Sequence, residues 1–218
     1  MGTDNLFHKR RARRADSLHR RRAKKSPYEV VLIVCEGGKT EPNYFNGLKK
    51  AFRINSANIR ICGCGEDPLR VVKFAIKTFR EEKEFDRVYC VFDRDRHASY
   101  HTALEKINHT RLGQGAKIFA VPSVPCFEFW LLLHFTYTTK PFQAPVGESI
   151  CSRVIKKLKT YLPNYEKGSQ HIFQEIQDRV DDALVNAHRI EKYHQTSGTD
   201  NPSTSMHLLV EYLHNLQK

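Results

Sequence analysis

The stretch from Glu29 to Phe45 constrains the fold of this chain more than any other. Val30 to Cys35 is an unbroken run of β-branched and apolar residues, and it stops at Glu36 and the pair Gly37-Gly38. So short and continuous a run, bounded by glycines, predicts a strand buried on both faces, which is the pattern of a parallel sheet. Gly37-Gly38 predicts a sharp turn. Thr40 then suits a helix N-cap, and Pro42 suits the first helical turn. In open α/β sheets ligands bind beyond the carboxyl ends of the strands. Glu36 is therefore expected where chemistry takes place.

The pattern repeats downstream. Strands are predicted at about 29–35, 58–62, 87–92 and 117–121, with helices at about 41–52, 67–84 and 98–111 between them. Asp67-Pro68 opens the second helix, whose apolar positions are Leu69, Val72, Phe74, Ile76 and Phe79. The 58–62 segment alternates polar and apolar residues, which suits a strand nearer an edge. Strand–helix alternation implies right-handed crossovers and an α/β fold with a parallel sheet flanked by helices. Beyond Pro122 the pattern changes. Cys126 to Phe135 reads as a buried helix, and helices follow near 149–161, 169–194 and 202–217. In the second of these, Ile172, Ile176, Val180, Leu184, Ala187 and Ile190 trace one face. Asn201-Pro202 reads as a cap followed by a first helical residue. At 218 residues the chain divides into a basic arm (1–27), an α/β core (28–135) and a helical extension or lid (136–218).

The formal net charge is +12, a balance that favours polyanionic partners. Most of it lies in the arm, where Lys9, Arg10, Arg11, Arg13, Arg14, Arg20, Arg21, Arg22, Lys24 and Lys25 face only Asp4 and Asp16. Two readings are open. The arm is a solvated tail, or it grips nucleic-acid phosphates without choosing sequence. The six cysteines are scattered, and Cys35 and Cys90 fall inside strand runs, so free thiols in a reducing cytoplasm are expected. Cys62-Gly-Cys64 is too closely spaced for a zinc knuckle. No apolar core follows the basic N-terminus as in a signal peptide, and Leu6 stands where myristoylation wants Ser or Thr. The longest apolar run, Phe127 to Phe135, is too short to span a bilayer. The sequence thus predicts a soluble, cytoplasmic protein without membrane contact.

After the third strand come Asp93-Arg94-Asp95-Arg96-His97. In extended backbone Asp93 and Asp95 face the same way. Paired carboxylates at a strand end repel unless a cation lies between them, and hard oxygen donors favour Mg²⁺ or Mn²⁺. With Glu36, this makes a three-acid constellation able to bind a divalent ion and act on a phosphodiester. The alternative is a salt-bridged surface turn. Motif order excludes neighbouring folds. A haloacid-dehalogenase-type phosphatase has Asp-x-Asp after its first strand, and a response-regulator receiver has its acidic pair there. Gly38-Lys39-Thr40 echoes a P-loop, but the first glycine of that loop would fall on Ile33.

Glu after the first strand and Asp-x-Asp after the third is the Toprim arrangement of topoisomerases, primases and overcoming-lysogenization-defect nucleases. Within that class, Glu36 to Phe45, Phe92 to His97, Pro125 to Phe135 and Asn201 to Thr204 resemble the RloB-like family. The resemblance covers nearly everything after the arm. It implies a Toprim-like fold, Mg²⁺- or Mn²⁺-dependent hydrolysis of RNA or DNA in antiphage defence, and a neighbouring AAA-type ATPase, RloA, as partner. No strand-passage domain with a catalytic Tyr is recognisable, so hydrolysis is expected in place of rejoining.

Carried over by position, Glu36 is general acid/base or metal ligand, Asp93 the principal metal ligand and Asp95 a second or water-mediated one. Glu41 is a supporting acid or a charge at a helix start. Glu128, in an apolar segment, is expected as a catalytic acid of the crevice, and a metal, a cation or a helix N-terminus must offset its burial. Lys39, His97 and His134 are candidates to steady a phosphate. His134 also reads as core packing, as does Trp130, and Lys39 also reads as a solvated loop residue. The other function classes are a non-catalytic nucleic-acid- or partner-binding subunit and a primase-type nucleotidyl transferase. The lack of a zinc module disfavours the latter. Homo-oligomerisation is open.

The arm carries its own prediction. Deleting residues 1–25 should flatten the salt dependence of nucleic-acid binding, measured by fluorescence anisotropy across a salt series. Equal affinity with and without the arm at low salt would reject phosphate gripping.

Overall fold

A computed structural model describes residues 29–55, 58–65, 67–94, 97–145 and 147–216. The basic arm, with Arg10, Arg11, Arg13, Arg14, Arg20, Arg21, Arg22, Lys24 and Lys25, lies outside the described residues, as does Asp95.

Four parallel strands form the sheet: β1 (Val31–Cys35), β2 (Ile59–Gly63), β3 (Arg87–Asp93) and β4 (Lys117–Val124). A two-residue strand, β5 (Ser203–Thr204), adds antiparallel to β4, giving the order β2-β1-β3-β4-β5. β2 is an edge, as its alternating sequence predicts. The crossovers are α1 (Thr40–Ala51), α2 (Pro68–Glu82) and α3 (Tyr100–His109). After β4 come α4 (Glu128–Leu133), α5 (Ile150–Leu158), α6 (Ile172–Ile176), a 3₁₀ turn at Gln177–Arg179, α7 (Val180–Ser197) and α8 (Met206–Asn215). This is the expected α/β fold, consistent with a Toprim-like sheet. Among the described residues no helix is long and apolar enough to cross a membrane.

The continuous apolar run of β1 is explained by its two buried faces. Val31, Ile33 and Cys35 enter one core with α1 and the helices after β4, while Leu32 and Val34 enter a second core with α2 and α3. Each strand residue is thereby removed from water, as a central parallel strand requires. The helices of the extension bury their faces in the same core as the sheet. All six cysteines are free thiols, and Cys35 and Cys90 are buried.

Several boundaries differ from expectation for physical reasons. Lys39, not Thr40, occupies the N-cap of α1, because the Thr40 hydroxyl accepts a hydrogen bond from the Gly168 amide at 2.9 Å. Asn201-Pro202 does not open α8. The peptide is cis, and the chain first pairs Ser203 and Thr204 with Val124 and Ser123. The Ser123 and Thr204 hydroxyls lie 3.0 Å apart in a hydrogen bond that reinforces this edge. The single helix expected over 169–194 is broken at Gln177–Arg179. Its first part packs on α1 and its second on α4, so one straight helix would not serve both contacts. On α2, Phe74 is 40% exposed, and Val71 and Ala75 face the core in its place. The start of α2 is as read: the Asp67 carboxylate accepts from the Leu69 and Arg70 amides, with Pro68 at the first position.

The α1–α6 contact is tight at Gly47, where a Cβ would fall 2.5 Å from Cβ of Phe173. On an exposed helix Gly→Ala gains about 1 kcal/mol. Here overpacking of about 1–3 kcal/mol opposes that gain. Gly47→Ala should therefore leave stability unchanged or lower it by up to ~2 kcal/mol in urea unfolding. A clear stabilisation would show that the contact is slack.

Candidate functional site

The carboxyl ends of β1 and β3 open into a cleft of about 690 Å³. Its walls also include the starts of α1, α2 and α4 and the loop between α5 and α6. Among the described residues five acids line it, Glu36, Glu41, Asp67, Asp93 and Glu128, with Lys39, His97 and Lys167 as basic groups.

Glu36 is placed by the sheet itself. Its amide donates to the Val91 carbonyl at 2.9 Å, continuing the β1–β3 ladder one step past the strand. Its Oε2 accepts from the Asp93 amide at 2.9 Å, so the side chain of one strand tip closes the backbone of the next. Oε1 lies 3.0 Å from Nε2 of His97. Burial raises the pKa of Glu36, opposed first by the Asp93 amide and then by His97, and Glu41 and Asp67 push it up further. The carboxyl thus holds a proton more readily than an exposed glutamate.

Asp93 ends β3 with its carboxylate in the cleft. Burial and then the charges of Glu41, Glu128 and Glu36 drive its pKa well above the ordinary value. Arg94, the next residue, does not neutralise it. That guanidinium donates to both carboxylate oxygens of Asp200, at 2.7 and 2.6 Å.

Glu41 is buried in the first turn of α1, and its Oε1 accepts from the Gly37 amide at 3.1 Å. A Cβ on Gly37 would lie 2.0 Å from Oε2 of Glu41. The sequence suggests that the Gly-Gly pair serves a sharp turn. The structure gives neither glycine a positive φ. The role of Gly37 is room: a Cβ there would displace the Glu41 carboxylate from its place against the loop. Burial raises the Glu41 pKa too, against the help of two backbone amides.

Glu128, 2% exposed, differs from the other acids. Its carboxylate accepts from Cys151 Sγ at 3.1 Å and Tyr165 Oη at 3.2 Å, and pairs with Lys167 Nζ at 3.2 Å. Burial alone would raise its pKa, but Lys167 and then the thiols of Cys151 and Cys126 outweigh burial and lower it. The offsetting cation that its burial demands is Lys167.

Lys39 lines the cleft, and its side chain packs on Gly168. His97 lies beside Glu36. His134 is not among the lining residues: it is fully buried, its Nδ1 is 3.0 Å from the Trp130 carbonyl, and burial lowers its pKa to about 4. Trp130 is likewise fully buried.

Lys167 escaped the sequence reading. It sits on a loop with no motif, yet that loop is fastened to α1. Besides Thr40, Asn43 holds it, donating to the carbonyls of Gly168 at 2.9 Å and Ser169 at 3.3 Å. Gly168 takes φ +83°, which explains the glycine after the lysine. No local spacing could have revealed a partner of Glu128 so far along the chain.

Among the described residues the five acids of the cleft outnumber its three basic groups, Lys39, His97 and Lys167. Glu36, Glu41 and Asp93 offer hard oxygen, the donor type of a divalent cation, though among the described residues these three are not a group whose ligand atoms all lie within 4.8 Å of one another. Glu128, with its oxygens engaged, fixes Lys167 instead.

Replacing Lys167 by Ala leaves the buried Glu128 carboxylate with its thiol and phenol donors but no cation. Removing one partner of a buried pair costs several kcal/mol. The Lys167 side chain is 58% exposed, so solvent reduces this to about 1–2 kcal/mol at pH 7. The sign follows from the lowered pKa. In the parent protein the stability due to ionised Glu128 is present above the ordinary carboxylate range and lost as pH falls below it. In the variant Glu128 titrates higher, so the deficit should shrink between pH 7 and pH 4 in urea unfolding. A deficit equal at both pH values would assign it to lost packing.

A family model described as RloB-like protein matches residues 31–213. Comparison with curated proteins and with solved structures found no match. The matched region contains every described element of the sheet, the cleft and the Lys167 loop, and on that match this chain is a member of the RloB-like family.

Proposed function

We propose that the protein is a metal-dependent nuclease that hydrolyses phosphodiester bonds of RNA or DNA. The observation that carries this reading is the carboxylate of Glu36 bonded to the backbone of Asp93, which joins two acids from separate strands at one cleft rim. The alternative of a salt-bridged surface turn is opposed at Arg94, whose guanidinium is bound to Asp200 and not to Asp93. The family resemblance adds a setting, antiphage defence, with an AAA-type ATPase as partner.

The chemistry of the cleft supports the reading. The donor set of Glu36, Glu41 and Asp93 is all hard oxygen, and mutual repulsion with burial makes a cation favourable there, which fits Mg²⁺ or Mn²⁺. When bound, such an ion supplies Lewis-acid polarisation of a phosphoryl oxygen and a more acidic water. Glu36, whose proton affinity is raised, accepts the proton of the attacking water, and His97 at 3.0 Å steadies its charge. Lys167 and Lys39 lie on the cleft wall to hold the phosphate by charge. Asp95, two residues past Asp93, completes the proposed donor set.

The test uses the full chain with end-labelled RNA and DNA in Mg²⁺ or Mn²⁺, with and without the ATPase. Cleavage should vanish with chelator. Glu36→Gln, which removes the proton acceptor, should slow it by about 10²–10⁴-fold. Asp93→Asn should raise the Mg²⁺ concentration required. Substrate bound but left intact by the parent protein under all these conditions would instead identify a non-catalytic binding subunit.

A further inference from the structure

Away from the acid cleft, α7 and α8 bring together His188, Glu191, His207 and Glu211. None of the four lines the cleft. His188 and Glu191 are three apart on α7, and His207 and Glu211 are four apart on α8, so each pair shares a face of its helix. Oε2 of Glu191 lies 3.4 Å from Nε2 of His207 and 3.7 Å from Nδ1 of His188. The ligand atoms of these three residues all lie within 4.8 Å of one another. Glu211 Oε1 is 2.6 Å from the other nitrogen of His188, Nε2.

We infer that His188, Glu191 and His207 form a binding site for a borderline-soft divalent ion, Zn²⁺ above all, with Glu211 as the positioning carboxylate. The spacing fits. Tetrahedral bonds of about 2.0–2.1 Å place neighbouring ligand atoms roughly 3.3 Å apart, and the two contacts of Glu191 lie close to that. The protons also fit. With its hydrogen on Nε2, His188 donates to Glu211 and turns its Nδ1 lone pair toward the Glu191 carboxylate. Two acceptors then face each other with no hydrogen between them, and a cation satisfies both. A metal-bound imidazole whose second nitrogen donates to a carboxylate is the usual supporting arrangement. His207 is 1% exposed, and its Nδ1 has no hydrogen-bond partner among the described residues. With its hydrogen on Nδ1, His207 presents the Nε2 lone pair toward Glu191. Imidazole nitrogens select Zn²⁺, Ni²⁺ or Cu²⁺ over Mg²⁺. The site is therefore distinct in metal preference from the all-oxygen cleft. His188 and Glu191 are partly exposed and leave the fourth position open to water.

A second group, Cys126, Glu128 and Cys151, has ligand atoms equally close. Lys167 stands against it, 3.2 Å from Glu128 and 3.6 Å from Cys151, where a cation would have to sit.

The test is isothermal titration of the full chain with Zn²⁺ in excess Mg²⁺, paired with the visible spectrum of the Co²⁺-loaded protein. One equivalent should bind, and Co²⁺ should give ligand-field bands without the near-ultraviolet band of a thiolate ligand. His188→Ala and Glu191→Gln, both at partly exposed positions, should weaken binding at least tenfold. Glu211→Gln, acting through His188, should weaken it by about 10–100-fold. Glu36→Gln combined with Asp93→Asn should leave it unchanged. Absence of stoichiometric Zn²⁺ binding would overturn the assignment. So would binding indifferent to His188→Ala, or binding lost only in Cys126→Ser and Cys151→Ser.

Discussion

The hydrogen bond from the Asp93 amide to the Glu36 carboxylate is the constraint on which the rest of the cleft depends. Parallel neighbours β1 and β3 end side by side, and Glu36 is the first residue whose side chain can reach across. By accepting the Asp93 amide it fixes its own rotamer and the direction in which β3 leaves the sheet. Two carboxylates from strands 57 residues apart then share one rim. Burial and repulsion push both toward their protonated forms. Such a pair persists only where the surrounding fold is stable enough to hold it. The double-sided burial of β1 and β3 supplies that stability.

Glu128 shows how the same burial can lead to the opposite charge state. Its donors are all made by the protein: a thiol, a phenol and an ammonium. Its pKa falls, while those of Glu36, Glu41 and Asp93 rise. The cleft thus has two unlike walls. One carries a carboxylate whose charge is already compensated, and it holds Lys167 toward the opening. The other carries carboxylates whose burial outweighs the protein cations that act on them, His97 beside Glu36 and Lys167 toward Glu41. The C-terminal extension contributes to the first wall through a loop fastened to α1 by Thr40 and Asn43.

How much of this could be read from sequence depended on the range of the interactions. The strands were legible because burial on both faces writes itself as an unbroken apolar run, in Val31 to Cys35 and Val88 to Phe92. The placing of Glu36 and Asp93 followed, since a residue just past such a run must stand at the sheet's carboxyl edge. Asp67 was legible as a cap because Asp-Pro acts through neighbouring backbone groups alone. β5 was not legible: Ser203 and Thr204 form a strand only because the edge of β4 offers partners. The break at Gln177–Arg179 was hidden for a similar reason, since Ile172 to Ile190 keep a helical period while the surfaces they meet change direction. Thr40 reads as a cap from local chemistry, and a loop 128 residues away captured its hydroxyl.

Gly37 shows how a correct residue can carry a mistaken reason. The pair Gly37-Gly38 invites an argument from backbone freedom, yet neither glycine adopts a positive φ. What the position requires is the absence of a Cβ, because the Glu41 carboxylate occupies that space. The Gly37 amide that a side chain would crowd is also the donor that holds Glu41 in place. The glycine therefore serves the electrostatics of the cleft. It admits a third acid to the rim, and the added repulsion raises the pKa values of Glu36 and Asp93 further. A turn built only for chain reversal would tolerate alanine at Gly37. A turn built to seat a carboxylate against its own backbone would admit alanine only by moving the Glu41 carboxylate.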